Sequence, residues 1–217
     1  RPTTTAFYLK LNNRRAPTDD VRIRRAIAYA VDYETIREVI FPGEAMTTVL
    51  PAGFESFFAD DVEGPSYNLE RAAAEIAQSS YAGQPIPITL EEISLLMQAN
   101  LESLGFVITQ QPEPWNRVTE IAGSPDSTPN ANQIFYGPTY PSPDSMFYTQ
   151  FHSAASGTWA SMDWLQDPEV DAMIDAARAT GDVAQTVQHA IDTCLTGFDP
   201  VPMQSFDYDF ARYSWTC

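Results

Sequence analysis

The sequence has 217 residues, of which 44% are hydrophobic and 12% aromatic, a balance typical of a globular protein with a sizeable core rather than a disordered chain. Its 12 basic and 29 acidic residues give a formal net charge of −17, which repels nucleic acid and anionic membrane surfaces. The longest uninterrupted apolar run, residues 26–31, is far shorter than the roughly 20 residues that a membrane-spanning helix needs.

The first 40 residues predict a strand followed by a helix. Residues 3–12 alternate apolar side chains with Tyr8 and Lys10, which is the period of a half-buried strand. Thr18 then precedes apolar residues at four-residue spacing, which predicts an amphipathic helix over 21–40 with Thr18 as its N-cap.

Basic residues are concentrated at the start of the chain. Eight of the twelve, seven of them arginines, lie in the first 40 positions. We interpret this cluster as a solvated helix face paired with nearby acidic residues, with an anion-binding site as the alternative.

The middle of the chain predicts a strand, helix, strand unit. A helix over 69–79 is followed by a strand over 86–90, a helix over 91–104 and a strand over 106–110. Such a unit usually places parallel strands side by side with the helix across one face of the sheet. The predicted fold class is therefore layered α/β.

Proline dominates the next part of the chain. Residues 111–133 are predicted as loop, a strand follows over 133–136, and three prolines within six residues predict a rigid loop over 135–144. A last helix is predicted to begin at 167–168 and to end near Gly181. Loops at strand ends of α/β sheets are frequent locations of ligand contacts.

Five segments of the chain carry a resemblance to a known family. They are, in chain order, AFYLKLNNRRAPTDDVRIRRAIAYAVDYETI, SYNLERAAAEIA, MQANLESLGFVIT, YGPTYPSPDSMF and LQDPEVDAMIDAAR. In this order they resemble the C-terminal lobe of the family 5 solute-binding proteins of ABC transporters, which include peptide and nickel binders.

The resemblance implies a fold and a function. The fold would be one α/β lobe of a two-lobe, type II clam-shell periplasmic binding protein, with residues 1–217 as the C-terminal lobe, the N-terminal lobe absent and the chain shortened near 89–91 and after 181. The function would be to capture a peptide-like or other small organic solute between two lobes and to deliver it to the membrane permease. The protein would be a monomer in the periplasm or at the extracellular face of the membrane, with no cofactor and no nucleic-acid partner.

Two alternatives stay open beside this interpretation. The solute could be an oligosaccharide, an opine or a metal chelate rather than a peptide, or the chain could be a non-enzymatic interaction module without a small-molecule pocket. Catalysis is not predicted, because the sequence has no G-x-S-x-G elbow beside its two histidines. His152 and His189 lie 37 positions apart, so no protein-ligated metal site is predicted either.

The candidate ligand contacts lie in the rigid loop and among the aromatic residues around it. In peptide-binding members, the resemblance implies that an Asp neutralises the free amine of the ligand at the position aligned with Thr139, which carries no charge. Asp144 is the nearby acid that could replace it, and Arg117 is a candidate for a ligand carboxylate or simply a surface residue. The full set of candidates is Tyr136, Thr139, Tyr140, Trp115, Trp159, Trp164, Asp144 and Arg117, and the alternative for the aromatic members is a role in the core.

The two cysteines allow two interpretations. Cys194 and Cys217 fit either a single disulfide in an exported protein or two unrelated buried thiols.

Overall fold

A computed structural model describes residues 4–40, 44–46, 49–51, 53–54, 64–91, 95–140, 142–180 and 204–205. The strands are β1 (Ala6–Leu11), β2 (Glu44–Ala45), β3 (Ile86–Leu90), β4 (Phe106–Gln110), β5 (Ala131–Tyr136) and β6 (Gln204–Ser205). The helices are α1 (Val21–Ala30), α2 (Tyr33–Thr35), α3 (Leu69–Ala77), α4 (Leu95–Ser103), α5 (Trp115–Ile121), α6 (Pro143–Phe151) and α7 (Pro168–Thr180). None of the helices in these ranges is long and apolar enough to cross a membrane.

The described strands form one mixed sheet in the order β2-β6-β1-β5-β3-β4. β1 runs antiparallel to β5 over its full length, and β3 runs parallel to both β4 and β5. The pairing between β3 and β5 joins only Leu90 to Ala131, so β5 begins where β3 ends. The carboxyl end of β5 therefore extends beyond the carboxyl ends of β3 and β4.

Two hydrophobic cores lie on opposite faces of the sheet. The first core contains Leu9 and Leu11 of β1 with apolar residues of α1, α3 and α4. The second core contains Tyr8 of β1 with apolar residues of α5, α6 and α7. The prediction that β1 is half buried is wrong: Tyr8 and Lys10 are both fully buried, because β1 lies inside the sheet with helices on both sides.

The predicted helix over 21–40 is interrupted. α1 ends at Ala30, and Asp32 accepts a hydrogen bond from the backbone N–H of Thr35, which starts α2 and the following π-helical turn Ile36–Ile40. The predicted N-cap is also wrong, because Asp20 caps α1 while the Thr18 hydroxyl donates to the carbonyl of Asn12 at 2.7 Å. The carboxylate of Asp32, in the middle of the predicted helix, thus caps the start of a new helix, a position that Asp favours.

The arginine cluster does not form a uniformly solvated face. Arg24 is buried, and its guanidinium donates to the backbone carbonyls of Thr18 at 2.8 Å and Asp19 at 3.0 Å. Arg22 is part-exposed and pairs with Glu75 of α3 at 2.8 Å rather than with an acid of its own region.

The elements with a clear periodicity are confirmed. β3 and β4 have the predicted bounds and are parallel, and α3 and α7 begin where predicted and end within two residues of the expected position. α4 is described over Leu95–Ser103, and residues 92–94 of the predicted helix lie outside the described part of the chain. The proposed disulfide also falls outside it, because neither Cys194 nor Cys217 is among the described residues.

Two helices in the proline-rich region were not predicted: α5 lies within the range predicted as loop, and α6 begins inside the predicted rigid loop over 135–144. α5 follows Pro114, and α6 has Pro143 as its first residue. Proline fits the first position of a helix because the N–H it lacks would have no partner there. β5 also begins at Ala131, two residues earlier than predicted.

Candidate functional site

The candidate site lies at the carboxyl end of β5. Tyr136 is the last residue of this strand, and residues 137–142, called here the ligand-side loop, lead from it to α6. Residues 156–167, called here the connecting segment, join the end of the α6 region to α7. Trp115 is the first residue of α5.

Three aromatic residues form a continuous row at this site. The ring of Trp159 lies 5.8 Å from Tyr136 and 5.3 Å from Trp115, which it meets edge to face. Tyr136 is buried, Trp159 is half buried and Trp115 is 58% exposed, so the row runs from the core to the solvent. The structure therefore brings together three of the sequence candidates, of which Trp115 and Trp159 are 44 positions apart in the sequence.

The candidate Trp164 lies in the interior. It is 8% exposed, and its indole N–H donates to the Thr128 hydroxyl at 3.0 Å. Its backbone has φ of +53°, a conformation that a tryptophan adopts only where surrounding contacts hold it. The structure gives Trp164 a role in packing.

Tyr140 and Asp144 form a polar group together with Arg178. The Tyr140 hydroxyl donates to the Asp144 carboxylate, and this hydrogen bond is the main reason that the pKa of Tyr140 is raised. Arg178 Nε lies 2.8 Å from the other carboxylate oxygen, and its guanidinium stacks on the Tyr148 ring at 4.1 Å. The charge of Asp144 is thus compensated within the protein.

Arg178 was not among the sequence candidates. It lies in the last turn of α7, 34 positions from Asp144, and a basic residue at that end of a helix is common for reasons of the helix dipole alone. No local pattern marks it as a partner of the ligand-side loop.

Ser145 accepts hydrogen bonds from the residue before the ligand-side loop and from the middle of the loop. Its hydroxyl accepts the backbone N–H of Thr139 at 3.0 Å, and its carbonyl accepts the Tyr136 hydroxyl at 2.9 Å. Thr139 itself is exposed. This buried serine was missed because a serine in the first turn of a helix is not unusual.

Arg117 is paired with its own helix. Its guanidinium lies 2.6 Å from the Glu120 carboxylate, and the hydrogen bond to Glu120 is the main cause of the raised pKa of Arg117. Both side chains are largely exposed, so the pair is accessible to solvent. A ligand carboxylate would have to compete with Glu120 for this cation.

His152 has structural partners. Its Nδ1 accepts the backbone N–H of Ala154 at 3.0 Å, and its ring stacks on Tyr148 at 4.5 Å. Within the described ranges, no group of three or more His, Cys, Asp or Glu side chains is arranged to hold a metal ion. His189 lies outside those ranges.

Comparison with known proteins gives the family. Residues 1–158 match the family described as bacterial extracellular solute-binding proteins, family 5 middle. This chain belongs to that family. The resemblance drawn from the sequence motifs is therefore confirmed at the level of the family, whereas the assignment to the C-terminal lobe stays a prediction.

Curated relatives are longer than this chain. The family 5 chain is 24% identical over 195 residues to the probable D,D-dipeptide-binding periplasmic protein DdpA of Escherichia coli K12, and the match covers 85% of this chain and 37% of that protein. It is also 24% identical over 202 residues to a dipeptide-binding protein of the same organism, with 86% and 37% covered. The chain thus spans little more than a third of the length of these relatives.

Solved structures confirm the α/β fold of periplasmic binding proteins. The periplasmic binding protein DppA of Helicobacter pylori, in complex with the peptide STSA, superposes with a TM-score of 0.82 at 15% identity, covering 94% of this chain and 42% of that one. A dipeptide-binding protein of Pseudoalteromonas sp. SM9913 in complex with Met-Leu gives 0.80 at 18% identity, covering 100% and 44%. The binding protein AgaA of A. tumefaciens R10, in complex with agropinic acid, gives 0.74 at 17% identity, covering 89% and 42%.

Proposed function

We propose that this chain forms one lobe of the solute-binding component of an ABC importer, and that the solute is enclosed between this lobe and a second one before delivery to the membrane permease. The family match supports the binding role, and the share of the solved structures that the chain covers, 42–44% for the three compared above, is that of one lobe of two. The protein would act in the periplasm or at the extracellular face of the membrane, as a carrier and not as an enzyme.

The observation that carries this proposal is the aromatic row of Tyr136, Trp159 and Trp115. It lies at the carboxyl end of the projecting strand β5, and ligands of open α/β sheets bind outside the carboxyl ends of the strands. Trp115 and Tyr140 leave about half of their surface exposed, an amount of aromatic surface that suits contact with a ligand or a second lobe.

The charges around the ligand-side loop favour an uncharged ligand group. Asp144 is paired with Arg178 and Tyr140, Arg117 is paired with Glu120, and Thr139 has no charge. A ligand ammonium at this loop would be transferred out of water without a free counter-charge, which costs several kcal/mol even after relaxation. We therefore propose that the solute lacks a free amine where it meets this loop.

Peptide-like solutes with a blocked amine and sugar-like or opine solutes both meet this requirement. The relatives named above bind peptides, and AgaA binds agropinic acid, so the same fold accepts both kinds of solute. The aromatic row suits either, because flat apolar rings and sugar rings stack on tryptophan and tyrosine faces.

The proposal is tested in two steps with the full-length protein. Native mass spectrometry of the purified protein identifies co-purifying small molecules. Tryptophan emission is then followed as peptides, sugars and opines are added. A protein that carries no small molecule and shows no change in emission would support the interaction-module alternative. Titration calorimetry with free and N-acetylated forms of the same dipeptides then tests the amine requirement. We expect the acetylated forms to bind at least as tightly. Tight, amine-dependent binding that survives Asp144→Asn would contradict the charge argument, and loss of that binding in Asp144→Asn would place the amine at Asp144.

A further inference from the structure

Lys10 and Asp163 form an ion pair inside the second core. Lys10 Nζ lies 2.9 Å from Asp163 Oδ2, both side chains are 0% exposed, and the same Nζ lies 4.0 Å from the centre of the Phe151 ring. Burial of Asp163 raises its pKa, and the nearby charge of Lys10 acts against that rise. A buried ion pair is weak evidence for stability, since apolar residues of similar volume often serve as well. We therefore consider a role for the pair other than stability.

Asp163 contacts residues before and after it in the connecting segment, and it also binds Asn13. Its Oδ1 accepts the backbone N–H of Leu165 at 3.2 Å and lies 3.5 Å from the Ser161 hydroxyl. Its backbone carbonyl accepts the backbone N–H of Asn13 at 2.7 Å and the Asn13 side-chain amide at 3.0 Å. The segment is thus attached to β1 and to the residues that follow this strand.

The contacts continue from Asp163 to Trp159. The backbone N–H of Ser161 donates to the carbonyl of Thr158 at 3.0 Å, which closes a turn with Trp159 as its second residue. Ala160 and Met162, on either side of Ser161, are buried in the second core. The turn therefore has one buried side, while the Trp159 ring projects to meet Tyr136 and Trp115.

We infer that Lys10 and Asp163 are positioning residues for Trp159. The ion pair attaches the connecting segment to β1, inside the sheet. Ser161 contacts Asp163 and closes the turn that contains Trp159, so the position of Asp163 fixes that of the turn. A salt bridge has a directional geometry that an apolar contact lacks, so it selects one arrangement of the segment. The inference rests on the proposed function in one respect only, which is that Trp159 contacts the solute.

The test uses the full-length protein labelled with 5-fluorotryptophan. Trp159→Phe identifies the Trp159 resonance by its disappearance. The main variant is K10M/D163L, which removes both charges at similar volume, and the matched control is R22Q/E75Q, which removes the ion pair between α1 and α3 on the other side of the sheet. No ligand is present, so the result does not depend on whether the proposed solute class is correct.

We expect the Trp159 resonance to move by more than its linewidth, or to split, in folded K10M/D163L and to keep its position in R22Q/E75Q. An unchanged Trp159 resonance in folded K10M/D163L would overturn the inference. Should K10M/D163L fail to fold, Ser161→Ala decides, because it keeps the ion pair and removes the hydroxyl through which the last residue of the turn contacts Asp163. Movement of the Trp159 resonance in Ser161→Ala supports the positioning role, and an unchanged resonance rejects it.

Discussion

The ring of Trp159 packs against the ring of Tyr136 at 5.8 Å, although the two residues belong to separate elements of the chain. Tyr136 is held by its hydrogen bond to Ser145, so the pair gives Trp159 a fixed support on its buried side. The other side of Trp159 meets the exposed Trp115. This arrangement makes Trp159 the central aromatic residue of the candidate site.

Replacement of Trp159 by Ala is expected to weaken binding of the co-purifying solute by about 1–3 kcal/mol, or roughly 5- to 150-fold, because an apolar contact is lost. Titration calorimetry measures this change. The matched control is Trp164→Phe, which removes the hydrogen bond to Thr128 and is expected to lower the melting temperature while leaving affinity unchanged. The opposite outcome, with affinity lost only in the Trp164 variant, would assign the two tryptophans the reverse roles.

The buried ion pair makes a prediction about stability. Lys10→Met leaves Asp163 buried without its partner and is expected to lower the free energy of unfolding by about 3–5 kcal/mol. K10M/D163L is expected to lie within about 1 kcal/mol of the wild type or above it, since neither charge is then buried. Urea denaturation followed by circular dichroism measures both. Equal losses in the single and double variants would show that the charges do not compensate each other.

The contributions of Asp163 and Asp20 to the free energy of unfolding are expected to change with pH in opposite directions. Burial raises the pKa of Asp163 despite Lys10, so the folded state holds a proton that the unfolded state has lost, and this contribution to stability falls as the pH rises through the interval between the two pKa values. Burial also acts to raise the pKa of Asp20, but hydrogen bonds from Ser80 and Arg22 outweigh it and lower the pKa overall. The contribution of Asp20 is therefore present above its unfolded pKa and lost as the pH falls.

The measurement for this prediction is the free energy of unfolding of the wild type, Asp163→Asn and Asp20→Asn across the acidic range. The difference between wild type and Asp163→Asn should decrease with rising pH, whereas the difference between wild type and Asp20→Asn should increase. Parallel curves for the two variants would contradict the assigned directions.

The chain alone is expected to bind its solute weakly. A solute enclosed by two lobes loses the contacts of the missing lobe, and a loss of a few kcal/mol weakens binding by two or more orders of magnitude. Calorimetry of the 217-residue chain beside the full-length protein checks this. Equal affinities would mean that one lobe holds the whole site, and circular dichroism of the chain confirms that a weak result does not reflect unfolding.

The spacing of apolar residues along the sequence predicted the elements that bury one regular face. Alternation along β3 and the four-residue spacing in α7 report burial directly, and these elements were found where expected. Pro114 and Pro143 indicate loop in the sequence because proline disrupts a helix interior, whereas in the structure they stand at helix starts.

Among the sequence candidates, three aromatic residues lie together in the structure, and their contact with a ligand stays a prediction. Tyr136, Trp115 and Trp159 were found together, since aromatic residues near a strand end suggest contact with a ligand. The polar partners were not, because the contacts of Arg178 with Asp144 and of Lys10 with Asp163 join residues 34 and 153 positions apart. Neither spacing leaves a periodic signal in the sequence, so these pairs emerge only when the sheet and helices are assembled.

Ser145 has a consequence for how this lobe could change during evolution. Because its hydroxyl and carbonyl accept hydrogen bonds from the Thr139 backbone and the Tyr136 hydroxyl, the helix that follows the loop holds the loop backbone at Thr139 in place. The backbone N–H of Thr139 makes its hydrogen bond whatever side chain the residue bears. Position 139 can therefore exchange charge, size and polarity over evolutionary time while the framework around it is retained, whereas a change at Tyr140 also removes a hydrogen bond to Asp144.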